Sequence, residues 1–522
     1  MSLSKPNASA ATVTTTRVAP SPVSGLCVNC IDGCPGYCEV GRSALRGREV
    51  IYPQPFGKVI SGSEKDYPVD LSHFNIHGTC VGAVGCEADS DKATFPAVSV
   101  ETEITGADGR KIPMKVPFFT GALGSTEIAR VNWEGTAIGA AISGSIVVCG
   151  ENVCGMDPKA EIKHGKILNS PELVRRVKIY KDWYDGYGTM LVQMNVEDTR
   201  LGVAEYAVEK LDIDGIELKW GQGAKCIGGE VKLPTLERAI QLKKRGYIVL
   251  PDPENPIVQE AHKLGGIAEF ERHSRLGMVD EESFLKEVER VRKIGARYVT
   301  LKTGAYRPVD LARALKYASE AKIDLLTVDG AGGGTGMSPW RMMNEWGIPT
   351  VYIECLLYKY LKRLKEKGEF IPSIAIAGGI VLEDQIFKSI ALGAPFVKAI
   401  CMGRSTLTAG MVGKTQGKLI EEAYGKGKEY ENAIMRTFAG AAQLKEKYGK
   451  DFKKIPPSAI GICTYYDRLA LGLKQLMAGA RKFALQYIDR DDIMALTREA
   501  SDISGIPYLM DVDAKEVENI LG

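Results

Sequence analysis

The sequence predicts an α/β fold, a (β/α)8 TIM barrel with an N-terminal cysteine-rich segment and a C-terminal helical extension, on three observations. From about residue 113, short apolar runs alternate with longer stretches of helical period, the runs number eight, and they lack the alternation of a sheet with one wet face. Parallel strands covered by helices are apolar throughout, as a closed barrel requires. An open doubly wound sheet has the same period and is the competing topology.

In chain order the runs are PFFTG (117–121), SIVVCG (145–150), MLVQM (190–194), DGIELKW (214–220), RYVTLKT (297–303), DLLTVDG (324–330), SIAIAGG (373–379) and PFVKAIC (395–401). Helix-like segments follow most of them, including STEIARVNWEGTAIGAAI, SPELVRRVKIYKDWYDG, PVDLARALKYASEAK and LEDQIFKSIALG. The long interval between the fourth and fifth runs, about 221–296, is read as an insertion covering the barrel mouth. The expected organisation is a flexible polar arm (1–24), a cysteine-rich region (25–112), the barrel (113–405) and a helical extension (406–522).

With 67 Lys+Arg against 65 Asp+Glu, a net charge of +2 and 45% hydrophobic residues, the 522-residue chain has ample length for a buried core and no basic footprint for nucleic acid. It contains no apolar run of about 18 residues, so no membrane span is expected. The polar opening segment lacks a secretory signal's apolar stretch, which makes the cytoplasm the expected compartment.

Twelve cysteines are unevenly placed. Cys27, Cys30, Cys34 and Cys38 form a Cys-x2-Cys-x3-Cys-x3-Cys run, which suits a [4Fe–4S] cluster or a tetrahedral zinc better than a disulfide framework. Cys80 and Cys86, like Cys149 and Cys154, are either further ligands or ordinary buried side chains.

Barrel chemistry belongs at the C-terminal strand ends. AGG (377–379) and MGR (402–404) follow the seventh and eighth runs, where glycine admits a phosphate to backbone N–H groups and Arg404 adds charge; tight turns are the plainer reading. GAGGGTGMSP (330–339) has a backbone permissive enough to wrap a ring or phosphate. KWGQGAK (219–225) and YVTLK (298–302) place Lys219 and Lys302 at strand ends, where a buried lysine needs an anionic partner and a rim lysine does not.

Taken in order, TGALGS (120–125), CGENVCG (149–155), LKWGQGAK (218–225), LPTLERA (233–239), TLKTG (300–304), DGAGGGTGMSP (329–339), IAIAGGI (374–380) and ALGAPFVKAICMGR (391–404) resemble the flavin-binding synthase domain of the glutamate synthase family, in its archaeal, stand-alone form. The resemblance covers roughly residues 95–470. It implies FMN at the mouth, its phosphate near Gly378, Gly379, Gly403 and Arg404, with Gly121 and Ala122 approaching through the backbone. It further implies cofactor contacts from Lys219, Gln222, Lys302, Gly333 and Gly334, and catalytic roles for Lys302, Glu151 and Lys225. Glu151 matches the acidic residue of the family's Gly-Glu-Gly-Gly turn, and Lys225 falls where the family contacts 2-oxoglutarate. Beside a redox barrel, the four-cysteine run favours iron–sulfur over zinc.

The implied reaction is reductive amination of 2-oxoglutarate, with hydride passing from FMN to 2-iminoglutarate and electrons arriving through the cluster. Lys219, Lys225, Arg307 and Arg341 are the candidate cations for the substrate's carboxylates. Expected partners are a 2-oxoacid or amino-acid substrate, a glutaminase-like subunit and a reductase or ferredoxin, in an oligomer. Alternatives are an FMN and iron–sulfur oxidoreductase of other specificity, or an electron-transfer subunit of a larger redox complex. The chain departs from the family where Cys226-Ile-Gly-Gly-Glu230-Val replaces Pro-Gly-Glu-Gly-Gly-Gln, where Ala331-Gly332 replaces His-Asp, and where only Cys463 remains of a late three-cysteine segment.

Overall fold

The structure is a computed structural model and describes residues 65–86, 91–221, 230–333 and 338–522, with the single residues 32, 40, 44, 45, 63, 223 and 227. Eight strands form a closed barrel: β1 (Phe118–Leu123), β2 (Val147–Cys149), β3 (Met190–Met194), β4 (Gly215–Lys219), β5 (Tyr298–Thr303), β6 (Leu325–Asp329), β7 (Ser373–Ala377) and β8 (Val397–Met402). Each lies within or over one of the eight apolar runs. Every neighbouring pair is parallel, and the ring closes where Ile400, Cys401 and Met402 pair with Phe118, Phe119 and Thr120. That closure eliminates the open-sheet alternative.

The uniform apolarity of the runs has a direct cause. Phe119, Val148, Leu191, Leu325, Ala375 and Ala399 point inward into a core filling the barrel, while their neighbours Phe118, Val147, Val192, Leu326, Ile374 and Ile400 point outward under the helices. The N-terminal end is stoppered by an antiparallel hairpin of Thr102–Thr105 and Lys111–Met114, whose Ile104, Ile112 and Met114 join the inner core. Chemistry is thereby confined to the opposite rim.

The outer layer is α1 (Glu127–Ile142), α2 (Pro171–Lys181), α3 (Glu281–Lys293), α4 (Pro308–Glu320), α5 (Thr350–Glu366), α6 (Glu383–Leu392) and α7 (Arg404–Tyr424), with shorter turns after β3. Thr126, Ser170 and Asp280 cap α1, α2 and α3 by accepting from backbone N–H groups of the first turn.

Between β4 and β5 stands a three-stranded antiparallel sheet of Glu230–Leu233, Ile248–Leu250 and Phe270–His273, the last in the middle, with a small core of Leu233, Leu242, Tyr247 and Phe270. The C-terminal extension is dominated by α8 (Pro457–Gly479), seated against α1 and α7 at glycines. A Cβ on Gly413 would lie 2.4 Å from the Pro457 carbonyl oxygen, and one on Gly139 would lie 2.8 Å from Ile462. Near the two ends of the described chain, Phe74–Ile76 pairs antiparallel with Ile493–Ala495. Among the described residues, no helix is long and apolar enough to cross a membrane.

Candidate active site at the barrel mouth

Two glycines bring the loops after β1 and β2 into contact. A Cβ on Gly150 would lie 2.6 Å from the Gly124 nitrogen, and the Gly150 N–H donates to the Leu123 carbonyl at 3.0 Å. The crossing is followed by Glu151, whose Oε1 accepts a 2.5 Å hydrogen bond from Lys219 Nζ at the end of β4. Burial alone would raise the Glu151 pKa, but the Lys219 ammonium outweighs it and holds the carboxyl below its ordinary value.

Asn152 adopts the left-handed conformation, φ 64°, and is held from several sides. Its N–H donates to Asp198 Oδ2 at 2.8 Å, its side-chain carbonyl accepts from the Tyr247 hydroxyl at 3.3 Å, and its amide donates to Ser274 Oγ at 3.5 Å. Tyr247 and Ser274 belong to the inserted region, which therefore braces the Glu151 loop.

Asp198 is 1% exposed, and burial pushes its carboxyl up to about 7, against the backbone N–H groups of Asn152 and Asn195 that favour its charge. The folded state thus holds a proton that the unfolded chain releases near its ordinary carboxylate pKa. The stability this gives is complete below about pH 4 and is lost as pH rises through 7, by up to about 4 kcal/mol. Urea unfolding should show stability declining over that window more steeply than in Asp198→Asn; parallel profiles would remove Asp198 as the cause.

The barrel floor beneath the mouth is polar. Lys302, 8% exposed, pairs with Asp329 at 3.1 Å, and Gln193 Nε2 donates to Glu217 Oε1 at 2.6 Å. Burial would lower the Lys302 pKa, but Asp329, Cys401 and Glu217 overcome it, so the ammonium is a fixed positive charge. Burial also raises the Glu217 pKa, opposed by Lys302 and Gln193. Among the described residues, the buried Gln193 Oε1, Thr300 Oγ1 and Thr327 Oγ1 have no hydrogen-bond partner.

A second cluster lies at the ends of β7 and β8. Gly378 (φ 129°) and Gly379 (φ 92°) form a turn closed to side chains, since a Cβ on Gly378 would lie 2.2 Å from Thr350 Oγ1. Gly403 begins α7 with no side-chain cap, and the space where its Cβ would stand is open. Arg404 opens the helix, and burial lowers its pKa. A helix N-terminus without a side-chain cap, beside an arginine, has the donor set of a phosphate site, so these residues fit a phosphorylated flavin. The chain downstream of the four-cysteine run packs alongside, where Tyr67, Gly332, Gly378 and Gly379 border a cavity of about 50 Å³.

Glu151, Lys219 and Lys302 thus come together at the mouth, Gly121 and Ala122 lie on β1, and Gly333, Gly378, Gly379, Gly403 and Arg404 lie around β6 to β8. Gly121 has no room for a side chain, since its Cβ would meet Cys401 Sγ at 2.6 Å. Gln222, Lys225, Gly334 and Cys27, Cys30, Cys34 and Cys38 lie outside the described residues. Among the described residues, no group of His, Cys, Asp and Glu could hold a metal. Cys149 and Cys154 are buried free thiols whose pKa values burial raises, which suits packing and not ligation.

Arg307 and Arg341 are exposed. A cavity of about 390 Å³ beside the mouth is lined instead by Arg275 and Arg313, with Glu151, Lys219, Trp220 and Tyr306. Arg275 holds Glu197 through Nη1 at 2.9 and 3.0 Å, which fastens the 274–279 loop to the rim. Sequence reasoning missed Gln193, Glu217 and Asp329, although polar residues inside MLVQM, GIELK and LLTVD were the signal that could have found them.

Residues 272–410 match the family model described as the conserved region in glutamate synthase. The chain is 29% identical over 251 residues to the archaeal-type glutamate synthase [NADPH] of Thermotoga neapolitana, covering 47% of this chain and 43% of that protein. It is 30% identical over 216 residues to the archaeal glutamate synthase [NADPH] of Methanocaldococcus jannaschii, covering 41% and 38%. To the glutamate synthase large subunit-like protein YerD of Bacillus subtilis it is 27% identical over 191 residues, covering 35% and 32%. The matches thus span less than half the length of these curated relatives. Among solved structures, the flavin-binding domain of baker's yeast flavocytochrome b2 overlaps 81% of this chain and 76% of its own at TM-score 0.45 and 13% identity.

Proposed function

We propose that this chain, whose residues 272–410 match the conserved region in glutamate synthase, is an FMN-dependent oxidoreductase that reduces a carbon–nitrogen double bond derived from a 2-oxoacid. The observation that carries the reading is the buried Lys302 ammonium, fixed at the mouth between the Lys219–Glu151 pair and the anion cradle at Gly378, Gly379, Gly403 and Arg404.

FMN, when bound, supplies the hydride. The chain supplies the binding, orientation and charge around it. The N-terminal N–H groups of α7 and Arg404 hold the phosphate, and Gly121 and Ala122 admit the ring against the backbone of β1. Lys302 presents a charge that needs no reorganisation to balance the negative charge of reduction. Glu151 fixes the position of Lys219 Nζ, which can orient a substrate carboxylate, and residues 275–279 line the adjoining cavity.

The substrate class is 2-iminoglutarate, formed from 2-oxoglutarate and ammonia. Cys27, Cys30, Cys34 and Cys38 would hold a [4Fe–4S] cluster delivering electrons, with a glutaminase-like chain and a reductase or ferredoxin as partners in the cytoplasm. Loss of the family's glutamine at Val231 and of His-Asp at Ala331-Gly332 favours a second reading, the same chemistry on a different small acid.

Anaerobically purified protein should be coloured, release FMN on denaturation and contain iron. After reduction it should be reoxidised by 2-oxoglutarate with ammonium. Reoxidation only by another acceptor would establish the second reading, and a colourless protein without extractable flavin would end both.

A further inference from the structure

Helix α8 carries two consecutive tyrosines that reach through the outer layer to the rim. Tyr466 is 1% exposed, with its hydroxyl 2.9 Å from Thr120 Oγ1 and 3.1 Å from Thr406 Oγ1. Its ring stands edge-on to Phe118, with centroids 4.9 Å apart at 84°. The Tyr465 hydroxyl donates to the Val381 carbonyl at 2.5 Å.

The three partners share one property. Thr120 precedes Gly121 on β1, Val381 follows the Gly378–Gly379 turn, and Thr406 stands in the first turn of α7 beside Gly403 and Arg404. Two adjacent side chains therefore fasten the three segments that would surround the phosphorylated end of the cofactor. Burial demands some partner for a tyrosine hydroxyl, but it does not demand that both hydroxyls close on the same cradle. The close seating of α8 makes the reach possible, since Gly461 faces α7 with its Cβ position only 2.7 Å from the Ala409 carbonyl oxygen.

We propose that Tyr465 and Tyr466 are positioning residues which set the spacing of the phosphate cradle, making the C-terminal extension part of the cofactor site. This rests on the FMN reading and goes beyond it, because it assigns cofactor retention to residues that touch no cofactor. A preformed cradle avoids the cost of ordering three loops on binding, and that saving is specific to the group that the loops surround.

The test compares FMN with riboflavin, which lacks the phosphate, by fluorescence titration of apo-protein. In Tyr465→Phe/Tyr466→Phe the rings and their packing remain. The dissociation constant for FMN should rise about tenfold or more, while that for riboflavin moves less than about twofold. Thr406→Val, which removes one partner from the opposite side, should reproduce the FMN-selective loss at smaller size. FMN affinity within twofold of wild type in the double variant, or equal weakening of FMN and riboflavin, would overturn the proposal. Failure of the wild type to bind either flavin would overturn the cofactor reading first, and the proposal with it.

Discussion

Lys302→Met is expected to lower turnover about 10²- to 10³-fold, the effect of deleting a preorganised charge from a water-poor site. The side chain is nearly isosteric, so the loss is electrostatic. The substitution also takes from Asp329 and Glu217 the cation that both act on. Removing one partner of a buried pair costs about 3–5 kcal/mol, so the denaturation midpoint should fall as well. Stopped-flow reduction and urea unfolding of the same preparation check the two effects separately. Wild-type reduction kinetics in a destabilised Lys302→Met protein would confine this lysine to a structural role.

Glu151→Gln should lower turnover about 10²-fold or more while leaving FMN content unchanged. The glutamine preserves shape and can accept from Lys219 Nζ through its carbonyl oxygen, but it removes the negative charge paired with that ammonium in a partly buried site. Because the Lys219 ammonium holds the Glu151 carboxyl below its ordinary value, wild-type activity should fall on the acid side only below the usual carboxylate range, and the variant should lack that limb. An acid limb unchanged in the variant would exclude the pair from substrate handling.

The barrel was legible because each of its strands is covered on both faces, which leaves an uninterrupted apolar run of the right length. The stopper hairpin was harder to see, although Ile104, Ile112 and Met114 alternate with polar residues across the TGADGR turn. The inserted sheet was hidden for a different reason. Ile248–Leu250 is three residues long, and its pairing with Phe270–His273 depends on contacts that no local pattern encodes.

At the mouth, glycine and lysine announced themselves by standing at strand ends, whereas Glu217 and Gln193 sit inside apolar strands and acquire meaning only from each other. Tyr465 and Tyr466 are the extreme case. In GICTYYDRL they border the last trace of a cysteine segment, and Tyr466 meets Thr120 across 346 positions of chain.

The pairing of Phe74–Ile76 with Ile493–Ala495 has a consequence for biosynthesis. A ribosome must extend the polypeptide beyond residue 495 before this ladder can zip, and α8 must also have emerged before its tyrosines can reach the rim. Assembly of the complete cradle is therefore a late event, and a nascent chain interrupted before residue 457 would present eight strands without the brace that finishes them.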